Sequence, residues 1–221
     1  MENLVSTLPP CLSRVDFGSM LVYAPRGQTA MSLESKIAAY GLKNVREGHI
    51  PYAVRRLLEE MATGGSAENL KAVLGKDVLL VPCPKSTPLV KGALWPSYEI
   101  CAELVRRGLA RESSVLVERI TPVQKSSTAG PGKRPKPLDH IRSMGMVEQT
   151  DFVPPRIVIV DDVITRGATL LGAASHVKHA FPDADVRVFA MVRTGGVEVD
   201  RILDPVIGEV TYNGQDATRR P

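Results

Sequence analysis

The stretch Arg156–Leu170 reads RIVIVDDVITRGATL, and its reading decides the fold. Ile157 to Val160 form an unbroken apolar run rich in β-branched residues, as a strand buried on both faces of a parallel sheet requires. Asp161 and Asp162 follow at once. Val163-Ile164-Thr165-Arg166-Gly167-Ala168-Thr169 then forms a short turn running into a helical pattern. This order sets two carboxylates at the carboxyl end of a strand, beside free backbone N–H groups. The first N–H groups of a helix have no intrahelical partner, and the helix dipole adds positive potential there. Gly167 allows close backbone approach, and Thr165 and Thr169 add hydroxyl donors. The loop suits a phosphate and the carboxylates suit vicinal sugar hydroxyls. Together they describe a ribose 5-phosphate site.

Outward from this stretch, strand and helix patterns alternate. Asp77 to Val81 (DVLLV) is a buried-strand run leading into Pro82-Cys83-Pro84-Lys85. A helix, SYEICAELVRRG, follows with Ser97 as its cap and Ile100, Cys101, Leu104 and Val105 inward. Ser114 to Glu118 (SVLVE) reads as a second strand, and residues 120–150 as a long polar loop. The helix after Gly167 runs to about Ala180, and Val186 to Val192 (VRVFAMV) is another strand. The alternation predicts an α/β fold, doubly wound, with a mostly parallel sheet. Upstream, Met20 to Ala24 reads as a short strand closed by Pro25-Arg26-Gly27. SLESKIAAYGL reads as a helix capped by Ser32 and ended by Gly41. The next helix carries Ile50, Val54, Leu57, Leu58 and Met61 on one face, and a short one spans Ala67 to Leu74. Residues 1–20 and 194–221 carry little signal beyond an edge strand at Glu209 to Tyr212. The expected division is a small, mainly helical N-terminal extension (1–75), a main domain (76–200) and a tail (201–221).

A chain of 221 residues can bury the core of one medium domain with an appendage. Its net charge of +4 befits a site for a polyanion and does not by itself argue for nucleic acid. Cys11, Cys83 and Cys101 are scattered and form no C-x-x-C pair. They argue for a reducing compartment, the cytoplasm, and against a zinc site or disulfide framework. The first residues lack a basic region followed by a long apolar run, and no stretch is apolar enough to span a membrane.

In open α/β sheets ligands bind at the carboxyl ends of strands. Three loops leave such ends: 82–93, 119–150 and 161–169. In the first, Lys85 and Lys91 can meet a pyrophosphate, and Gly92 lets the backbone close on it. The second holds Lys125, Lys133, Arg134, Lys136 and Arg142 against a single acid, Asp139, and is glycine- and proline-rich from Ala129 to Pro137. Nucleic acid stays open as a partner for this loop but is not favoured, because no aromatic residue is there to stack on bases. His140 is read as a surface histidine, and Trp95 and Tyr98 as packing residues.

Val158 to Leu170 resembles the phosphoribosyl pyrophosphate (PRPP) motif of type I phosphoribosyltransferases: an apolar run, two acids, then V-x-T-x-G-x-T. A narrower likeness is to the ComF (competence) family of amidophosphoribosyltransferase-like proteins. Those have an apolar strand, P-x-P, a basic run and Arg-Gly before a helix, where this chain has Lys91-Gly92. They also carry R-x-x-T-x-x-Q, and Arg119, Thr121 and Gln124 stand here at similar spacing. Their N-terminal four-cysteine zinc finger is absent. The wider resemblance covers roughly residues 77–193 and extends more weakly back to about residue 20 through Tyr23 to Asn44.

The resemblance implies the type I phosphoribosyltransferase fold, with residues 120–150 as a flexible hood. It implies displacement at C1 of PRPP by a nitrogen nucleophile with loss of pyrophosphate. Asp161 and Asp162 would hold the ribose. Ile164, Thr165, Arg166, Gly167, Ala168 and Thr169 would hold the 5-phosphate, and Lys85, Lys91 and Gly92 the pyrophosphate. Lys133, Arg134 and Lys136 would belong to the hood. Mg2+ is the implied cofactor, held mainly by PRPP, with no protein ligand assigned. Thr165 stands where 6-oxopurine enzymes place an acid, which argues against hypoxanthine–guanine salvage. The acceptor, a nitrogenous base or amine, stays open, and a homodimer is expected. The alternatives are a non-catalytic PRPP- or nucleotide-binding regulator and a ComF-like factor handling DNA during uptake.

Overall fold

The computed structural model describes residues 8–44, 48–124, 134–147 and 155–221. Its frame is a seven-stranded sheet built from β1 (Arg14–Tyr23), β2 (Gly75–Pro82), β3 (Ala110–Ser113), β6 (Arg156–Ile164), β7 (Asp185–Thr194), β8 (Leu203–Tyr212) and β9 (Ala217–Arg220). The order is β3-β2-β6-β7-β1-β8-β9. The first five in that order are mutually parallel, and β8 and β9 are added antiparallel to their neighbours. A separate two-stranded ribbon pairs β4 (Val117–Arg119) with β5 (Met144–Met146). The mostly parallel α/β architecture expected from the alternation of elements is the one observed.

Helices cover both faces. α1 (Ala30–Lys43), α2 (His49–Ala62) and α3 (Pro96–Arg106) lie on one side, and α5 (Ala168–Ala180) on the other. The strands divide accordingly. Val158 and Val160 join the core under α2 and α3, while Ile157 and Ile159 join the core under α5. This is why the run has no polar alternation: both faces are buried. The same split holds in β2, with Val78 and Leu80 on one side and Leu79 and Val81 on the other.

The chain leaves β2 through α3 toward β3, and leaves β6 through α5 toward β7, in opposite directions along the sheet. Crossovers of one hand that run in opposite directions land on opposite faces. The gap between the ends of β2 and β6 is therefore the switch point where α/β sheets open a ligand crevice.

Four expectations are corrected. First, residues 1–75 and 201–221 are not appendages to the sheet: β1 sits inside it between β7 and β8, and β8 and β9 extend it. β1 spans ten residues, not the short run at 20–24. Asp16, Gly18 and Ser19 interrupt its hydrophobic pattern, although Gly18 and Ser19 are buried. Second, the strand after α3 is the polar ARES, not SVLVE. It is an edge strand and needs no continuous apolar run, and Val117–Arg119 turns out of the sheet into the ribbon. Third, Thr29 rather than Ser32 caps α1, accepting from Ser32 N–H at 3.3 Å, and the helix continues past Gly41 to Lys43. Fourth, part of the expected mobile hood is packed. Pro137–Ser143 forms helix α4, which buries His140 and Ile141 against α5. Gly172 makes this possible, since a Cβ there would stand 2.7 Å from the Cβ of His140.

Candidate functional site

Strand β6 carries the acid pair within its own length rather than after it; pairing with β7 continues to Ile164↔Arg193. Asp161 Oδ1 accepts from the backbone N–H of Asp162 at 2.9 Å and from the Ser97 hydroxyl at 3.1 Å. Ser97 was expected to cap α3; it lies instead inside the first turn, behind Pro96, and aims across the switch point at the acid. Burial, followed by the charge of Asp162, pushes the Asp161 carboxyl well above its ordinary range. Asp162 Oδ1 accepts from Val163 N–H at 2.9 Å.

Gly167 begins α5 with φ of 90°, and no side chain caps it. Helical bonding starts at Leu171 N–H to Gly167 O, 2.8 Å, which leaves the first-turn N–H groups without intrahelical partners. The glycine is obligatory twice over: the backbone is left-handed, and a Cβ would lie 2.7 Å from Val210 of β8. Asp161 to Leu170 all line one cleft of about 980 Å³ at the switch point.

The C-terminal hairpin braces this loop, a role nothing in the sequence pattern of residues 194–221 signalled. Arg219 of β9 donates to Thr165 O at 3.0 Å and Thr194 O at 2.6 Å, with its guanidinium over the Phe17 ring at 5.6 Å. Burial, then Arg193, brings the Arg219 pKa down to about 10. Arg166 pairs with Asp216 in the β8–β9 turn, which accounts for a cation in the phosphate loop with no evident partner in its own segment.

A second brace comes from the hood side. Arg119 is buried and donates to Lys85 O at 2.8 Å, to Ser143 Oγ at 2.5 Å and to His140 Nδ1 at 3.3 Å. A guanidinium can only donate, so Nδ1 is the unprotonated nitrogen and Nε2–H points to Thr169 Oγ1, 3.3 Å away. His140 is thus neutral and buried, not the surface residue expected; burial, reinforced by Arg119, lowers its pKa to about 3. His176 Nε2 adds a bond to Ile141 O at 2.9 Å. The chain Lys85–Arg119–His140–Thr169 joins all three loops that leave the carboxyl edge.

The predicted pyrophosphate residues divide. Lys85 lines the cleft; Lys91 and Gly92 do not, although Gly92 does adopt a positive φ of 78°. Trp95 Nε1–H closes the 83–95 loop on Cys83 O at 2.9 Å, and its ring stacks on Tyr98 at 5.7 Å. In the hood, Arg134 lines the cleft. Lys136 instead precedes α4, its N–H donating to Asp139 Oδ2 at 2.8 Å. Lys133 lies outside the described residues, as does Lys125. The far side of the cleft is formed by Tyr23, Arg26, Tyr40, Lys43 and Asn44, which sequence reasoning did not assign to a site. The signal available was positional: Tyr23 ends a parallel strand, where such sheets place ligands.

Among the described residues no group of three or more His, Cys, Asp or Glu side chains is placed to hold a metal ion, and no helix is long and apolar enough to cross a membrane. Fold and cleft define a mostly parallel α/β protein with an uncapped helix N-terminus beside two carboxylates at its switch point. No protein-family model and no curated protein matches the chain.

Proposed function

We propose that the chain is a phosphoribosyltransferase that binds Mg-PRPP and transfers the phosphoribosyl group to a nitrogen acceptor. The observation carrying this reading is one arrangement: an uncapped helix N-terminus behind Gly167 with Asp161 and Asp162 beside it in the same cleft. The N–H groups and Thr169 suit the 5-phosphate, and the carboxylates accept from the ribose hydroxyls. Lys85 and Arg134 flank the space left for the pyrophosphate. The residues act by positioning and by charge, the two contributions such a displacement needs most.

Two adjacent carboxylates suit a hard cation, and without a third protein ligand such an ion would ride on the substrate's own oxygens. The chemistry such an ion would supply when bound is neutralisation of the leaving pyrophosphate.

The test is pyrophosphate release from Mg-PRPP across a panel of nitrogenous bases and amines. Release that requires one acceptor supports the enzyme. Tight PRPP binding with no turnover by any member would assign the chain to regulation, and absence of PRPP binding in calorimetry would overturn the reading altogether.

A further inference from the structure

The cleft extends past the acid pair to the end of β1 and the last turn of α1. There it is lined by Tyr23, Arg26, Tyr40, Lys43 and Asn44, with Arg134 entering from the segment before α4. These groups sense one another: the Tyr23 hydroxyl is raised by burial, then by Tyr40 and Asp162, and lowered by Arg134. Tyr40 leaves half its surface exposed.

The cations differ in how they are committed. Arg119 is used by Lys85 O, Ser143 and His140, and Arg166 by Asp216. Arg26, Lys43 and Arg134 form no ion pair with any described residue. Among the described residues the acids of the cleft are Asp161 and Asp162 on β6. Glu198 does not line it: its carboxylate accepts from Ser32 Oγ, Thr29 Oγ1 and the N–H groups of Gln28 and Thr29, which bring its pKa down to about 2. Among the described residues this end of the cleft therefore offers aromatic rings, one amide and three cations without an ion-pair partner, and no carboxylate of its own.

We propose that this half of the cleft is the acceptor subsite and that it takes a planar nitrogen compound bearing a carboxylate. A neutral ring would leave three cations without a counter-charge, and a cationic amine would be repelled by them. The ring packs on the tyrosines and its carboxylate meets Arg26 and Lys43. The nucleophilic role rests on the phosphoribosyl-transfer reading; the preference for an anion does not. In the transfer, the nitrogen lone pair forms the bond to C1 as the C1–O bond breaks. Pyrophosphate leaves with the electron pair, and the nitrogen's proton passes to solvent.

The experiment titrates the full chain, without PRPP, with matched acid and amide probes: nicotinate against nicotinamide and benzoate against benzamide. The acids should bind at least about tenfold more tightly than the amides, as charge-assisted bonds require. Lys43→Met and Arg26→Met, both at exposed positions, should each remove most of that preference, while Mg-PRPP titrated separately keeps its affinity within about twofold. Equal binding of acid and amide, or variants that weaken PRPP and leave the acid untouched, would overturn the subsite. A wild-type chain that prefers the acids yet fails to bind PRPP would keep the subsite and remove phosphoribosyl transfer.

Discussion

At the scale of single residues, Asp161 is the costliest group in the cleft. Its carboxyl is half-buried beside a second acid, with only a serine hydroxyl and one N–H to support the charge. Its folded pKa lies above the unfolded value, so between the two the folded state holds the extra proton, and stability falls as pH rises through that window. Asp161→Asn removes this term and keeps an acceptor for Ser97. The variant should melt higher than the parent at pH 7, by a margin that shrinks as pH is lowered toward about 4. It should also bind PRPP about 10- to 100-fold more weakly, the loss of a charge-assisted bond. A variant that is less stable at every pH would show that the acid serves the fold rather than a ligand. His140 obeys the opposite logic. Its neutral form is locked in by Arg119, so the link between hood and phosphate loop does not titrate near neutrality.

At the scale of elements, the site proves to be a loop held from behind by a hairpin. β9 supplies Arg219, whose two bonds hold the carbonyls of Thr165 and Thr194, the exits of β6 and β7. Arg219→Met keeps contact with Phe17 and loses both bonds. It should cost about 3 kcal/mol in urea melts and weaken ribose 5-phosphate binding, though the residue touches neither ring nor phosphate. Unchanged phosphate affinity would mean that the loop holds its shape unaided. The strand–acid–glycine–helix arrangement was legible because it is local: its parts are consecutive in Arg156–Leu170. The two strands that flank the switch point were legible for the same reason, since β2 and β6 each contain an unbroken apolar run, Val78–Val81 and Ile157–Val160. Arg219 and Asp216 were not, because their roles arise from pairing across 25 to 54 residues, and Tyr23 was not, because only the place of its strand in the sheet puts it at the cleft. ARES was missed because an edge strand exposes one side and carries charge; the first half of β1 was missed because Gly18 and Ser19 are buried without looking hydrophobic. Gly18 has its own explanation, as a Cβ there would approach Leu70 to 3.0 Å.

At the scale of the whole molecule, the apparent extension is the middle of the structure. Removing residues 1–24 would delete a strand that pairs with both β7 and β8 and strip the sheet of Phe17 and Met20. The truncated chain should show no cooperative thermal transition by circular dichroism, whereas a true appendage would leave the melt intact. The same placement has a consequence for how the protein is made. β1 leaves the ribosome long before its partners, β7 and β8, which begin only at Asp185 and Leu203. Contacts of such long sequence separation form late and slowly, and a nascent strand without neighbours is open to misassociation. Until residues 185–212 emerge, then, the growing chain holds an unsheltered edge, and the sheet can close around β1 only after they appear.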